Sequence, residues 1–479
     1  MHRSRAPPPF KAKRLHVNRS VLPSTVPFTP PELAAEHARA MRIVGAVLNA
    51  CDARAATARA AREHNLKPGD APWILAFGKA AIGMAEGIVD VCGEPERHLI
   101  VTVDGPPPVR LASVHRSDHP LPTERSVDAG RAVKRFIEEA KAAGVPALTV
   151  LISGGTSSLI CEPIPGLELG EYRAVVRAML EKGWEIRWLN TVRRAIDALK
   201  GGRLAAFAEP MAIDLFAVSD VIGDRLDDIG SGPFAQSSTG TDQARALLET
   251  RMGNVHGAAL VALTCQPHPP RVRAPRRAAI VLNSQSAVDA AHAALVAEGM
   301  RVISATPATE EIVRVGVSQS AAEELTAGRS GDAIVWGGEW DVQAAGSGYG
   351  GRMQSHAIDF RSQIRDRPIA GLFLATDGID GRPPTGAPPA AGAFVWTGMS
   401  WPGEELAGLA RQHRSLADAI ARRDTEREYE AVYDWLDANS YLRLAWRDAN
   451  RPPGEPPAHI FTGPTGTNVN DLLVAWRLR

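Results

Sequence analysis

Lys79 stands in Gly78-Lys79-Ala-Ala, directly after the apolar run Trp73-Ile-Leu-Ala-Phe. An ammonium there would lie beside the amides that open a helix, a combination suited to phosphate or carboxylate. Ser153-Gly154-Gly155-Thr156-Ser157-Ser158 follows Ala147-Leu-Thr-Val-Leu-Ile and offers amides with little side-chain obstruction, plus hydroxyl donors. A third turn, Ser219-Asp220-Val-Ile-Gly-Asp224, follows Asp214-Leu-Phe-Ala-Val and crowds its carboxylates against Asp227 and Asp228. In isolation such acids cap helices or face water; beside phosphate ligands Asp220 and Asp224 could hold Mg2+, which takes one or two carboxylates and several waters. Thr376-Asp377-Gly-Ile-Asp380-Gly closes the run Leu372-Phe-Leu-Ala. Near the C-terminus, Phe461-Thr-Gly-Pro-Thr-Gly-Thr-Asn sets Gly463, Thr465, Thr467 and Asn468 in a donor-rich turn. Its continuation, Asp471-Leu-Leu-Val-Ala-Trp, reads as a helix, which would complete an anion site.

Two familiar phosphate and nucleophile devices are absent. No G-x-x-x-x-G-K-[ST] occurs, so a nucleotide would be held without a P-loop, and no G-x-S-x-G elbow surrounds Ser153. Gly346-Ser-Gly-Tyr-Gly-Gly351 does satisfy G-x-G-x-x-G, with Arg352 opening a helix and Asp377 near the end of the next strand. That spacing admits a dinucleotide site. It equally admits a guanidinium aimed at a transferring phosphoryl group.

Elements that would position these residues alternate along the chain. Apolar runs at 74–77, 99–103, 148–152 and 215–218 are separated by Ala-rich amphipathic segments, which predicts βαβ units and a parallel sheet flanked by helices. Ligands of such folds bind at the carboxyl edge of the sheet, where the turns above would gather. Gln266-Pro-His-Pro-Pro-Arg-Val-Arg-Ala-Pro-Arg-Arg277 is too proline-rich for an element interior and marks a domain break or a surface crossing. Beyond it a second series of strands is predicted near 279–282, 301–304, 333–336, 371–375 and 459–461. The reading is therefore two α/β domains, 31–275 and 276–479, after a basic, proline-rich and disordered extension over 1–30.

The 479 residues carry 54 basic and 54 acidic side chains, so no overall field favours nucleic acid or an anionic membrane. Four dispersed cysteines form no CxxC pair, which argues against a zinc site or disulfide framework and suits a reducing cytoplasm. No apolar run approaches the roughly 20 residues that span a bilayer.

The order of these blocks resembles the class II glycerate kinases, or glycerate 2-kinases, with a C-terminal MOFRL domain. The resemblance runs from about residue 36 to the end. Besides the turns already quoted it includes His119-Pro-Leu-Pro, Asn190-Thr-Val-Arg193, Lys200-Gly201-Gly202-Arg203-Leu, Ser231-Gly-Pro, Asn283-Ser and Gly337-Gly-Glu339. It implies two domains, each with a mostly parallel Rossmann-like sheet, and an active site in the cleft between them. It also implies transfer of the ATP γ-phosphoryl group to the 2-hydroxyl of D-glycerate or a related small hydroxy acid. Lys79 and Arg352 fall on the family's catalysis-linked positions, with Asp220 and Asp377 as candidate bases. Ser153, Gly154, Gly155, Ser157, Lys200, Gly201, Gly202, Gly463, Thr465, Thr467 and Asn468 would bind the nucleotide, and Asp220 and Asp224 would hold Mg2+. A homodimer is compatible with the family.

Several blocks depart from the family pattern, at Thr156, Thr123, Ala195, Trp340, Met353, Ser355 and Pro389. Thr156 would narrow backbone approach, and Trp340 and Met353 would make the cleft more apolar, favouring a larger acceptor than glycerate. Two rivals follow. One is a divergent nucleotide-binding paralogue without turnover; the other is an NAD(P)-dependent hydroxypyruvate reductase.

Overall fold

The computed structural model describes residues 29–478, apart from 106–109, 253–256, 265, 267, 309–315, 341, 343–347, 365–366, 400–438 and 450. The extension read over 1–30 lies almost wholly outside the described residues.

Six strands build the first sheet: β1 (Trp73–Phe77), β2 (Arg97–Thr102), β3 (Val114–Arg116), β4 (Ala147–Ile152), β5 (Ala212–Val218) and β6 (Arg277–Leu282), in the order β3-β2-β1-β4-β5-β6. All neighbours run parallel. Alternation along the central strands sorts their side chains onto two faces. Leu75, Phe77, Val150, Ile152 and Leu215 pack with Val133, Phe136 and Ile137 of the helix Glu124–Ala142. Ile74, Ala76, Leu151 and Phe216 pack on the opposite side with Met84 and Ile88 of the helix Ala81–Cys92. Covered on both faces, these strands read as continuous apolar runs.

The second sheet contains β7 (Arg301–Thr306), β8 (Asp332–Gly338), β9 (Ile369–Ala375), β10 (Gly392–Trp396), β11 (His459–Ile460) and β12 (Asp471–Arg477), in the order β11-β10-β9-β12-β8-β7. Here the expectation of a mostly parallel sheet is corrected. Only β7 and β8 pair in parallel; β12 enters antiparallel between β8 and β9, and β10 and β11 add antiparallel neighbours. The predicted helix at Asp471 is this strand. Leu472 through Trp476 are all 0% exposed, buried on both faces. Such a run has no period to separate strand from helix.

The domain boundary also shifts. β6 pairs with β5, so the first sheet runs to Leu282, and the proline-rich segment is a surface crossing that delivers the chain to its own edge. The helix Pro30–Ala50, assigned to the first domain, packs instead on the second sheet's layers. Trp476 Nε1 donates to Glu36 at 2.7 Å, the His37 ring lies 5.7 Å from Phe394, and Arg39 and Arg42 bond Glu298 at 2.8 and 2.6 Å. No described helix is long and apolar enough to cross a membrane.

Candidate active site

The carboxyl ends of β1, β4 and β5 present Lys79, the 153–158 turn and Asp220. The carboxyl ends of β8 and β9 present Glu339 and the 376–380 turn. Because β12 runs antiparallel, its first residue meets the same edge: Asp471 pairs in register with Gly338 and Ala375. Two contacts join the edges. Lys79 Nζ lies 3.6 Å from Asp377 Oδ2, and Asn468 Nδ2 donates to Asp220 Oδ2 at 3.4 Å. The cleft between the sheets therefore brings together Lys79, Asp220, Asp377 and Asn468.

On the first sheet, the β1 and β4 turns are stitched to each other. Lys79 N donates to Gly154 O at 2.9 Å, and Ser153 Oγ accepts from Ala80 N at 3.0 Å while donating to Phe77 O at 3.1 Å. Gly78 allows that approach, since a Cβ there would stand 2.2 Å from Ser153 Oγ. Ser153 is consequently a buried clamp whose hydroxyl is spent, and Ser157 Oγ is engaged with Ser231 Oγ at 2.8 Å. What the turn leaves open is backbone. Among the described residues the amides of Gly154, Gly155 and Ser157 donate to no other residue. Converging amides of this kind form an anion-binding nest.

Lys200, Gly201 and Gly202 do not line this nest, which corrects the expectation for them. Lys200 is fully buried, its ammonium paired with Asp197 and donating to Ile160 O at 3.0 Å. The Gly201 and Gly202 amides donate to Ser231 O and Gly232 O at 3.1 and 2.8 Å. Asp224 is likewise engaged, accepting from Asn283 Nδ2 at 2.6 Å, and Asp227 and Asp228 face Arg194 at 2.9 and 3.2 Å.

Across the cleft, Arg352 opens the helix Arg352–Gln363 and reaches Glu339 at 2.9 Å and Asp471 at 3.1 Å. Asp380 holds that helix in place: its carboxylate accepts from Met353 N at 3.0 Å and Gln354 N at 2.7 Å. These amides, which a dinucleotide pyrophosphate would need, are occupied by the protein's own acid. Residues 346 and 347 of the glycine fingerprint lie outside the described residues. The final turn is clamped as well, with Thr465 Oγ1 donating to Thr376 O at 2.7 Å and Thr465 N to Asp377 O at 3.0 Å. Thr467 is buried within it, and Gly463 O presses on Gly378, where a Cβ would meet it at 2.0 Å. Replacing Asp380 by alanine removes two buried amide acceptors and should destabilise the fold by about 1–3 kcal/mol. Urea denaturation checks this, with Asp380→Asn expected to lose less because one amide oxygen still accepts.

Burial, and next the neighbouring charge of Glu339, push the Asp220 carboxyl up to about 6, although Lys79 and Asn468 pull it down. Asp471 is raised well above the ordinary carboxylate range, mainly by burial, with Asp380, Glu339 and Asp377 adding to it against Arg352. His119 is held down to about 4 by burial and then by the charges of Lys79 and Arg193. A neutral imidazole thus faces the nest: its Cδ2 would lie 3.3 Å from a Cβ on Gly155, and Lys79 Cγ 3.5 Å. Glu339, Asp471 and His119 were not among the expected site residues. Glu339 carried a signal, ending an apolar run; Asp471 was hidden by the helix assignment.

A family described as a domain of unknown function, DUF4147, matches residues 38–260, and the MOFRL family matches 332–471. D-glycerate 2-kinase of Thermotoga maritima is 28% identical over 421 residues, covering 84% of this chain and 89% of that one. The chain belongs to the glycerate 2-kinase family with a MOFRL domain. Human glycerate kinase is 27% identical, covering 86% of this chain and 85% of its own. A crystal structure of glycerate kinase from Thermotoga maritima superposes with a TM-score of 0.71 at 26% identity, over 93% of this chain and 100% of that one.

Against the glycerate 2-kinase pattern, the substituted positions Thr156, Ala195, Trp340 and Met353 are buried. Trp340 is 1% exposed and Met353 0%. The indole lies against Gly338, where a Cβ would stand 2.3 Å from it, and meets His356 edge-on at 6.4 Å. Thr156 spends its hydroxyl on Ser153 O at 2.7 Å and is buried, so it does not narrow the nest. These residues repack the core behind the site, and the expected preference for a bulkier acceptor loses its basis.

Proposed function

We propose that the chain transfers the γ-phosphoryl group of ATP to the 2-hydroxyl of D-glycerate or a closely related small 2-hydroxy acid. Family membership makes it a phosphotransferase with an alcohol group as acceptor. The observation that carries the finer reading is the meeting of Lys79, Asp220 and the open amides of Gly154, Gly155 and Ser157 with the acidic edge of the second sheet across one cleft.

Phosphoryl transfer asks mainly for alignment and for neutralisation of charge spread over the phosphate oxygens. Lys79 and the open amides would hold donor phosphates on the first sheet, and Arg352, fixed between Glu339 and Asp471, would present its guanidinium from the second. Asp220 would accept the proton of the attacking hydroxyl, a role suited to a carboxylate whose pKa burial has lifted toward neutrality. Asp220 also fits Mg2+: among the described residues its side-chain donor is Asn468 in a long contact at 3.4 Å, and Glu339 crowds it with like charge that a cation would relieve. When bound, that ion would neutralise phosphate oxygens. Asp224 is a poorer ligand, being already engaged by Asn283.

ADP release by the purified protein with Mg2+ and ATP, across D-glycerate and larger 2-hydroxy acids, tests the reading. Turnover should be highest with D-glycerate and should fall on the order of 10²-fold or more in Lys79→Ala. ATP binding with no turnover of any acid would make the chain a nucleotide-binding paralogue. Oxidation of NADH by hydroxypyruvate without ATP would make it a reductase.

A further inference from the structure

The helix Ile186–Ile196 is anchored beside the site by two of three neighbouring polar residues. Asn190 Nδ2 donates to Asp228 O at 3.2 Å and its Oδ1 accepts from Ser231 Oγ at 2.9 Å; Arg194 donates to Asp227 O at 2.8 Å. Arg193 is different. Among the described residues its side chain makes no hydrogen bond or ion pair, although it is only partly exposed and burial disfavours its charge. Asp197, the acid whose charge reaches it, is already bonded to Lys200 and Tyr172. Arg194 beside it pairs with two carboxylates, so a counter-ion was available to this helix and was given to the neighbour.

A partly desolvated guanidinium without a counter-ion is costly, and the cost is recovered when a ligand brings the negative charge. Arg193 shares its surroundings with His119, whose imidazole feels the charges of both Arg193 and Lys79 and contacts the floor of the nest at Gly155. We infer that Arg193, with the imidazole of His119 beside it, is the seat for the carboxylate of the acceptor acid. The inference rests on the kinase reading above. Two features favour the acceptor over the donor. Lys79 and the free amides already provide for phosphate, and a planar guanidinium matches a carboxylate through two parallel hydrogen bonds. The neutral imidazole supplies a partner for an adjacent hydroxyl, which a 2-hydroxy acid carries and a triphosphate lacks.

Steady-state ADP release by Arg193→Met should show a KM for D-glycerate raised on the order of 10- to 100-fold, the worth of a charged hydrogen bond, with the KM for ATP unchanged. The methyl ester of D-glycerate, which lacks the charge, should be a poor substrate for both proteins, so that the variant loses the preference for the acid. Arg193→Lys should restore part of the D-glycerate KM, which a purely structural arginine would not require. An unchanged D-glycerate KM overturns the assignment, and so does a matching rise in the ATP KM, which would make Arg193 a phosphate contact. If the unaltered protein releases no ADP with any acid, the kinase reading fails by itself. Calorimetric titration of D-glycerate then decides the seat. Binding heat that is present in the unaltered protein and lost in Arg193→Met supports it; equal heat in both, or none in either, removes it.

Discussion

Replacing Lys79 by alanine should lower kcat on the order of 10²-fold or more while leaving the fold almost as stable as before. The two halves of this result come from different magnitudes. As a structural tie, Lys79 makes a 3.6 Å ion pair with Asp377 in which both side chains keep about a quarter of their exposure, 28% and 23%. Pairs of that kind contribute about 0–1 kcal/mol. As a catalytic group, it would sit at the mouth of β1 beside three open amides, fixed by the Lys79 N to Gly154 O bond before any ligand arrives. A charge placed in advance against a transferring phosphate contributes about 3 kcal/mol or more to the transition state. Thermal unfolding and single-turnover rates on the same preparation separate the two. A variant that melts normally and still turns over near the original rate would take Lys79 out of the mechanism. Arg352→Ala should lose as much activity but be less well tolerated, because it strips the nearest cation from the buried Asp471.

The second large effect concerns pH. With the Asp220 carboxyl at about 6, its ionised form prevails above that value. If Asp220 takes the hydroxyl proton as a carboxylate free of Mg2+, kcat/KM should be flat above about pH 7 and fall about tenfold per unit below the pKa, whereas Mg2+ held by Asp220 would favour its ionised form and move the limb to lower pH. Asp220→Asn should lose about 10²- to 10⁴-fold in kcat, the usual contribution of a general base. The cause of the shift supplies the stricter check. Glu339 raises this pKa through its charge, so Glu339→Gln should move the acid limb to lower pH; Lys79 lowers it, so any residual activity of Lys79→Ala should show the limb moved upward. An acid limb that stays put in Glu339→Gln would mean that some other group is being titrated.

The sequence shows where the turns of the site are more clearly than what each side chain in them does. Apolar runs ending in Gly-Lys, Ser-Gly-Gly, Ser-Asp and Thr-Asp mark strand ends, and the backbone does bring those ends to one cleft. Lys200 shows the limit: a lysine followed by two glycines reads as a ligand group, yet its partner Asp197 stands three residues earlier and closes a buried pair. Trp340 and Met353 mislead in the same way, since a motif position does not say which face of the chain points at the ligand. The second sheet was hardest to read. β12 is uniformly apolar, so neither its strand character nor its antiparallel entry leaves a periodic trace. The packing of residues 30–50 on the far half depends on contacts such as Glu36 with Trp476, which no local pattern encodes.

That last contact also bears on how the molecule is assembled. Its two residues are separated by 440 positions, and further partners of the helix Pro30–Ala50 lie in 284–298, on β9 and at Phe394. During synthesis this amphipathic helix emerges long before the surface it covers, while the first sheet can close without it once β6 has been made. Its apolar stripe of Leu33, Ala40, Ile43, Val44 and Val47 stays uncovered for most of translation. Completion of the fold is therefore a late docking event across the whole length of the chain, the slow, non-local kind of step during which exposed apolar surface is most prone to misassociation.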